Sequence, residues 1–178
     1  NPMLTWETNK NYDIGLEFEL FDHKLSGSIE YYNRYTEDLL QDVPILTTTG
    51  FASILQNVGE MSNKGFEISL TNKNFETEDF KWTTTFTGAT NKNKIEKLYD
   101  GEDIQLFPHI LREGESRYTY YLREGAGVDP ETGRWEWYKN TTDAEGNIIS
   151  GRETTQVSGE ARSTIVGKWD PDFYGGIR

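Results

Sequence analysis

The 178-residue sequence contains no cysteine, so disulfide bonds and thiolate metal sites are excluded for this chain. Its two histidines, His23 and His109, stand isolated in the sequence, so we expect neither a histidine-based metal site nor a histidine general base. Basic residues are scarce, since 18 Lys and Arg stand against 30 Asp and Glu and give a net charge of -12. A chain of this charge repels nucleic-acid phosphates, and we expect no nucleic-acid partner.

Long hydrophobic runs are also missing. The longest apolar patch is "VPIL" at residues 43–46, far short of the roughly 18 apolar residues that a membrane helix needs. Apolar residues make up only 34% of the chain, but aromatic residues reach 13%, which argues against disorder. Low apolar content with many aromatic residues favours strands that need only one apolar face each.

Four segments alternate with a period of two residues, which is typical of half-buried strands. In the first segment, residues 11–21, the even-numbered positions are apolar and most odd-numbered positions are acidic or glycine. The same alternation recurs at residues 25–36, 64–75 and 80–91. We therefore predict an all-β fold with four antiparallel up-and-down strands at these positions.

The connections between these strands alternate in length. Short polar turns follow the first and third strands, at residues 22–24 and 76–79. An irregular stretch at 37–63 separates the second and third strands, and a longer one covers 93–171. Brief turns on one side and extended loops on the other are typical of up-and-down membrane barrels. We expect both long stretches to be loops and residues 172–178 to begin a further strand.

One local hairpin is predicted inside the second long stretch. The segment "GVDPETGRWEWY", residues 127–138, places Pro130 and Gly133 where a type I turn favours them. The flanking residues of this turn are expected to pair. Beyond the turn, Trp135, Trp137 and Tyr138 are candidates for contact with a ligand or a partner, because aromatic rings stack on apolar sugar or side-chain surfaces.

Acidic loops provide no convincing catalytic or metal site. "DGED" at 100–103 and "DAEGN" at 143–147 carry oxygen ligands beside a glycine, but neither follows the spaced ligand pattern of a calcium loop. Glycosidase chemistry needs two carboxylates fixed across a cleft, which acidic loops do not imply. We predict no catalytic residues, no metal site, no cofactor and no enzymatic activity.

The sequence resembles one known family over nearly its whole length. The residues that carry the resemblance are, in order, "NPMLTWETNKNYDIGLEFELFDHKLSGSIEYYNRYTEDLL", "TTTGFASILQNVGEMSNKGFEISL", "FKWTTTFTGATNKNKIEKL", "GAGVDPETGRWEWY" and "DPDFYGGIR". These blocks are similar to the late barrel region of SusC/RagA-type TonB-dependent outer-membrane transporters.

The resemblance implies a piece of a much larger protein in the outer membrane of a Gram-negative bacterium. Members of this family form a plugged barrel of about 22 strands. They import oligosaccharides or peptides, and a SusD-like surface lipoprotein caps them. The expected partners are therefore outer-membrane lipid, that lipoprotein, the glycan or peptide substrate and, through parts outside this chain, the TonB complex. Residues 37–63 and 93–171 would be extracellular loops.

The polar faces of the strands would then point into the barrel lumen. The lumen-facing candidates are Glu17, Glu19, Glu30, Arg34 and Glu67, accompanied by Asp13 and Lys81. They would contact a plug or a substrate, or form a solvated barrel interior, which is generally polar.

A second interpretation from another functional class is a soluble β-sandwich that binds a ligand or carbohydrate. In a sandwich, the apolar faces around Ile14 and Ile68 would pack against a second sheet. The two interpretations differ in whether the apolar faces converge on an enclosed protein interior.

Overall fold

A computed structural model describes residues 4–46, 48, 50–142, 148–149 and 153–178, and they form an all-β structure. The strands are β1 (Thr8–Leu20), β2 (Leu25–Pro44), β3 (Ser53–Glu76), β4 (Lys81–Thr90), β5 (Lys92–Leu98), β6 (Ile104–Leu106), β7 (His109–Leu111), β8 (Thr119–Arg123), β9 (Gly125–Val128), β10 (Trp135–Tyr138), β11 (Thr141–Thr142), β12 (Ile148–Ile149), β13 (Thr154–Thr155), β14 (Ser163–Lys168) and β15 (Phe173–Ile177). Among the described residues, no helix is long and apolar enough to cross a membrane.

The chain divides into two compact units. The first unit comprises residues 1–104, 111–117 and 170–178, and the second comprises 105–110 and 118–169. In the first unit, one antiparallel sheet has the strand order β1-β2-β3-β4-β15, with β5 also paired to β3. Strands that are neighbours in sequence are therefore neighbours in this sheet from β1 to β4, as the up-and-down prediction requires.

The β1–β2 connection is a tight turn. Residues 21–24 form it, and the amide of Lys24 donates to the carbonyl of Phe21 at 3.2 Å. Phe21, Asp22 and His23 all adopt positive φ values near 60°. From this turn the register runs without interruption from Leu20 opposite Leu25 to Thr8 opposite Glu37.

The main sheet has an apolar face that remains open. Directly opposed residues point to the same side of a sheet, so Ile14, Tyr31, Phe66 and their neighbours share one face. Ile14 is 72% exposed and Leu16 is 62% exposed. The apolar side chains of β1 thus do not converge on an enclosed interior within this chain.

The prediction that residues 37–63 form a loop is wrong. β2 continues to Pro44, β3 already begins at Ser53, and their pairing extends to Pro44 opposite Ser53. The register shifts around Leu39, next to Asp38 with φ 57°. Such a bulge moves later side chains to the other face, so the two-residue alternation is interrupted although the strands continue.

The prediction that residues 93–171 form a loop region with one local hairpin is wrong at its start. β5 lies within it and pairs with β3 from Lys92 opposite Lys64 to Leu98 opposite Gly59. Its other edge is occupied as well, because the amide of Ile95 donates to Glu115 and the amide of Gly114 donates to Ile95, both at 2.8 Å. On the edge opposite β2, the long strand β3 therefore pairs with two strands in succession, β5 along its first half and β4 along its second half.

The small core of the first unit lies at this end of the sheet. Its buried apolar side chains are Tyr32, Leu39, Val58, Ile95, Leu98 and Leu111. Asn93 is buried with them and is hydrogen-bonded through both ends of its amide. Its Nδ2 donates to Asn63 at 2.8 Å, and its Oδ1 accepts from the Arg117 amide at 2.7 Å.

The second unit contains several short sheets. One has the order β14-β8-β7-β6; of its residues, Ile104 in β6 and Leu111 in β7 are assigned to the first unit. Another has the order β13-β10-β9. The predicted hairpin is present, because β9 pairs with β10 around residues 129–134. The residues further before the turn do not join this hairpin, because β8 pairs with β14 instead. The acidic segment "DAEGN" at 143–147 lies outside the described residues.

Candidate functional site

The predicted luminal residues share one face of the main sheet, which we name the polar face. Strand alternation and register place on it Asp13, Glu17, Glu19, Glu30, Arg34, Glu67 and Lys81. Glu30 lies directly opposite Glu67, whereas Glu17 lies opposite Ser28 and Glu19 opposite Ser26. The structure thus brings Glu30 and Glu67 together and leaves Glu17 and Glu19 nearer the β1–β2 turn.

Two of these residues at the turn ends have their own side-chain partners. Glu19 contacts His23 Nδ1 at 2.6 Å, and Lys81 contacts Glu76 at 2.9 Å across the β3–β4 turn. Glu30 and Glu67 form no ion pair with any described residue. Directly opposed like charges are unfavourable in a sheet unless water or a counter-charge screens them.

A polar cleft of about 320 Å³ opens on this face and contains two of the predicted residues, Arg34 and Glu67. It is further lined by Tyr32, Asn63, Asn91, Asp170, Pro171 and Tyr174. The guanidinium of Arg34 lies 5.2 Å from the centre of the Tyr32 ring. The cleft therefore combines a cation, carboxylates, amides and phenol groups, which suit the polar groups of a peptide backbone or a sugar.

Tyr32 forms the base of this cleft. It is only 7% exposed, and its hydroxyl lies 3.2 Å from the Thr90 carbonyl and 3.0 Å from Asn91 Oδ1. Tyr32 shares the polar face with Arg34, but it was not among the predicted site residues. A large side chain directly opposite a glycine, here Gly65, is the signal that indicates such a crossing ring.

A second cavity of about 290 Å³ adjoins the polar cleft through shared lining residues. Glu67 and Tyr174 line both cavities, and Glu30, Ser28, Ser69 and Thr87 line only the second. The opposed carboxylates Glu30 and Glu67 thus belong to a polar track that continues along the face into the cleft.

The three predicted loop aromatics lie on β10 of the second unit, but their surroundings differ. Trp135 covers Gly125, where an added Cβ would come within 2.6 Å of the indole ring, yet the side chain stays 50% exposed. Trp137 is half-buried, and Tyr138 lies beneath the Arg162 guanidinium at 5.2 Å. Of the three, Trp135 offers the most accessible ring.

The tip of this hairpin is organised by one carboxylate. Asp129 accepts hydrogen bonds from the Thr132 hydroxyl at 2.5 Å and from the Glu131 amide at 2.9 Å. These bonds, the Thr132 hydroxyl first, hold the pKa of Asp129 below its ordinary value. Among the described residues, no group of three or more potential ligands from His, Cys, Asp and Glu is placed to hold a metal ion.

Comparison with known proteins assigns the fold to a family. The family described as TonB dependent receptor-like, beta-barrel matches residues 1–174. TonB-dependent receptor P3 of Formosa agariphila is 37% identical over 191 residues, covering 99% of this chain and 19% of the receptor. TonB-dependent receptor SusC of Bacteroides thetaiotaomicron is 38% identical over 108 residues, covering 60% of this chain and 11% of SusC.

Solved structures agree with this assignment. The RagAB peptide importer in its closed-closed state superimposes with a TM-score of 0.80 at 32% identity, covering 99% of this chain and 20% of the importer chain. Its open-open state gives a TM-score of 0.71 at 29% identity, with 99% and 19% coverage. The chain thus spans about a fifth of the length of these relatives.

These matches decide between the two interpretations of the apolar faces. A sandwich would bury the face that carries Ile14 and Leu16, but that face is open and the matching domain is a β-barrel. The soluble sandwich interpretation is therefore wrong. Strands β1 to β4 follow one another in the sheet, and they have one apolar and one polar face. Because the family also matches residues 1–174, the chain belongs to the TonB-dependent receptor-like β-barrel family.

Proposed function

We propose that this chain forms part of the barrel wall and an external loop region of a TonB-dependent importer in the outer membrane of a Gram-negative bacterium. The observation that carries the proposal is the open apolar face of β1 to β4, in which Ile14 and Leu16 are largely exposed beside an acidic opposite face. An exposed row of apolar side chains is unfavourable in water and favourable in contact with lipid. The polar face would then look into the lumen.

Strand length supports an extension beyond the membrane. A tilted strand crosses a bilayer with roughly 9–11 residues, but β2 has 20 residues and β3 has 24. Because both strands start or end at the short turns, their far ends would lie on the extracellular side. There they would meet substrate or a SusD-like surface lipoprotein. The TonB complex would act through other parts of the full protein.

The proposed cargo is an oligosaccharide or a peptide. Similarity to the RagAB peptide importer favours peptides, and similarity to SusC leaves oligosaccharides as the alternative. The polar cleft around Tyr32 and Arg34 supplies hydrogen-bonding groups for either class, and Trp135 supplies a ring for stacking. The role of these residues is binding and passage of a solute, with no bond chemistry.

Uptake by cells that carry the full-length protein tests this proposal. Cells are offered fluorescent peptides and fluorescent oligosaccharides, with and without a functional TonB protein. We expect TonB-dependent accumulation of one class in the periplasm. The Trp135→Ala variant should reduce accumulation of that class, whereas Trp6→Ala, which also removes an exposed indole, serves as the matched control.

Two outcomes would contradict the proposal. Accumulation that is unchanged without TonB would reject an energised importer. Equal loss of uptake in the Trp135→Ala and Trp6→Ala variants would reject a specific contribution of the hairpin.

A further inference from the structure

A cavity of about 520 Å³ lies within the second unit, and none of its lining residues lines the polar cleft. Its lining includes Gln105, Phe107, His109, Tyr121, Arg123 and Ser163. Part of its wall is the β8–β14 pair, in which Arg123 lies directly opposite Ser163. Because side chains alternate along a strand, Tyr121 shares the face of Arg123. A guanidinium, a hydroxyl and a phenol therefore lie together on one side of this pair.

The guanidinium of Arg123 has no hydrogen-bond or ion-pair partner among the described residues. Arg162, on the segment that leads into β14, is different. It contacts the Glu124 carboxylate at 2.6 Å and covers the Tyr138 ring. Arg123 differs from Arg162 in having no partner among the described residues, although the chain contains 30 Asp and Glu residues. It leaves a forked set of donors free for a planar oxyanion.

The cavity also has an apolar wall. Phe107 lines it and is 88% exposed. Contact of a ligand with this ring and with Tyr121 would remove aromatic surface from water, which favours binding. A cation beside aromatic walls is complementary to a carboxylate attached to an apolar group.

We propose that this cavity binds a carboxylate that is carried next to an apolar group, the chemistry of a peptide C-terminus whose last residue is apolar. Arg123 engages the carboxylate with two parallel N–H donors, Ser163 adds a hydroxyl donor, and Phe107 and Tyr121 contact the apolar group. The site shares no lining residue with the polar cleft, and binding to it requires neither TonB nor transport.

Calorimetry on the purified full-length protein in detergent tests the proposal. The probes are the dipeptide Ala-Phe, its C-terminal amide, and glucuronate, which carries a carboxylate on a polar ring. We expect Ala-Phe to bind about tenfold or more tightly than its amide. The reason is that a charge-assisted hydrogen bond between a carboxylate and an arginine contributes about a factor of ten or more in affinity. Glucuronate should bind more weakly than Ala-Phe.

Substitutions of lining residues test whether Ala-Phe binds in this cavity. Arg123→Gln should weaken Ala-Phe binding about tenfold and leave the affinity of the amide unchanged. Arg134→Gln, which removes one exposed positive charge from the hairpin tip of the same unit, is the matched control and should bind Ala-Phe normally. Phe107→Ser should weaken both Ala-Phe and its amide.

Three results would overturn the proposal. Equal affinity for Ala-Phe and its amide would reject carboxylate recognition. Equal loss in Arg123→Gln and Arg134→Gln would indicate a general charge effect. Glucuronate binding as tightly as Ala-Phe would reject the role of the aromatic walls. None of these depends on the uptake result, so this proposal and the importer proposal can fail separately.

Discussion

The ring of Tyr32 crosses directly over Gly65 on the neighbouring strand. The two residues are opposite each other in register, and a Cβ added to Gly65 would lie 2.7 Å from Tyr32 Cζ and 2.0 Å from the Thr90 carbonyl oxygen. Only a glycine allows the ring to lie this flat across β3 and its hydroxyl to reach Thr90 and Asn91. The base of the polar cleft therefore depends on the absence of one side chain.

Substitution of Gly65 by alanine is expected to destabilise the full-length protein by about 1–3 kcal/mol, the usual cost of inserting atoms into a filled site. The new methyl group meets backbone as well as the Tyr32 ring, so the strands themselves must move. The measurement is the temperature at which the folded barrel loses its altered mobility on SDS gels. Gly15→Ala is the control, because nothing lies within 4 Å of its Cβ position. Equal shifts in both variants would contradict this account.

Adjacent residues of β1 should differ in their access to water. Glu17 is on the polar face and Leu16 on the apolar face, and this chain has no cysteine of its own. In membranes of cells that carry a single-cysteine protein, Glu17→Cys should react with a charged thiol reagent, whereas Leu16→Cys should react only after detergent extraction. The reason is that thiolates form in water but not in hydrocarbon. Rapid labelling of Leu16→Cys in intact membranes would reject the lipid-facing assignment.

The Glu124–Arg162 pair is expected to stabilise the second unit. The two side chains meet at 2.6 Å, and their backbones are also joined, since Glu124 N donates to Arg162 O at 3.0 Å. Glu124→Gln should cost about 1.5–3 kcal/mol, the range for hydrogen bonds to charged groups. Hydrogen exchange of the Tyr138 amide, which donates to the Glu124 carbonyl at 2.9 Å, reports the loss.

Glu153→Gln is the matched control for this pair. Glu153 contacts Lys139 at 3.2 Å on an exposed surface, where an ion pair contributes about 0–1 kcal/mol. Faster exchange at Tyr138 in Glu153→Gln than in Glu124→Gln would contradict the prediction.

The hairpin tip should remain ordered at neutral pH and loosen only in acid. The hydrogen bonds from Thr132 and Glu131 lower the pKa of Asp129, so its carboxylate stabilises the hairpin at all pH values above the unfolded pKa of about 3.9. This contribution is lost as the pH falls below that value through the lower folded pKa.

The measurement for the hairpin is hydrogen exchange of residues 125–138, corrected for intrinsic exchange rates. Asp129→Ala should exchange faster than the wild type at pH 7, and the two should converge once the wild-type carboxylate is protonated. Asp129→Asn is an intermediate control: its one amide oxygen still accepts from the Glu131 amide, but an NH2 group replaces the oxygen that accepts from the Thr132 hydroxyl. Its exchange at pH 7 should therefore lie between that of the wild type and that of Asp129→Ala. A constant difference between Asp129→Ala and the wild type down to pH 2 would exclude the carboxylate as the cause.

Some parts of the fold followed directly from local pattern. The alternation at residues 11–21 and 25–36 predicted paired strands because a period of two is visible wherever the ladder is regular. The hairpin around Pro130 and Gly133 was predictable for the same reason, since turn chemistry acts over a few residues. The extent of β2 and β3 was not, because the bulge at Leu39 shifts the pattern and the sequence beyond it reads as irregular.

The candidate site was predictable only in outline. Glu30, Arg34 and Glu67 were assigned to one face, and register brings Glu30 opposite Glu67. Asn91 and Tyr174 come from distant parts of the chain, and only the pairing of β3 with β4 and of β4 with β15 places them beside Arg34.

The sequence alone determined which side of each strand is apolar and which is polar, because that choice depends only on residue identity and a two-residue repeat. The tertiary structure decided which strands lie side by side, where bulges shift the register, and which side chains meet across three strands to form a cleft. Those relationships depend on hydrogen bonds between residues up to 93 positions apart, such as Thr85 and Arg178, and no local pattern encodes them.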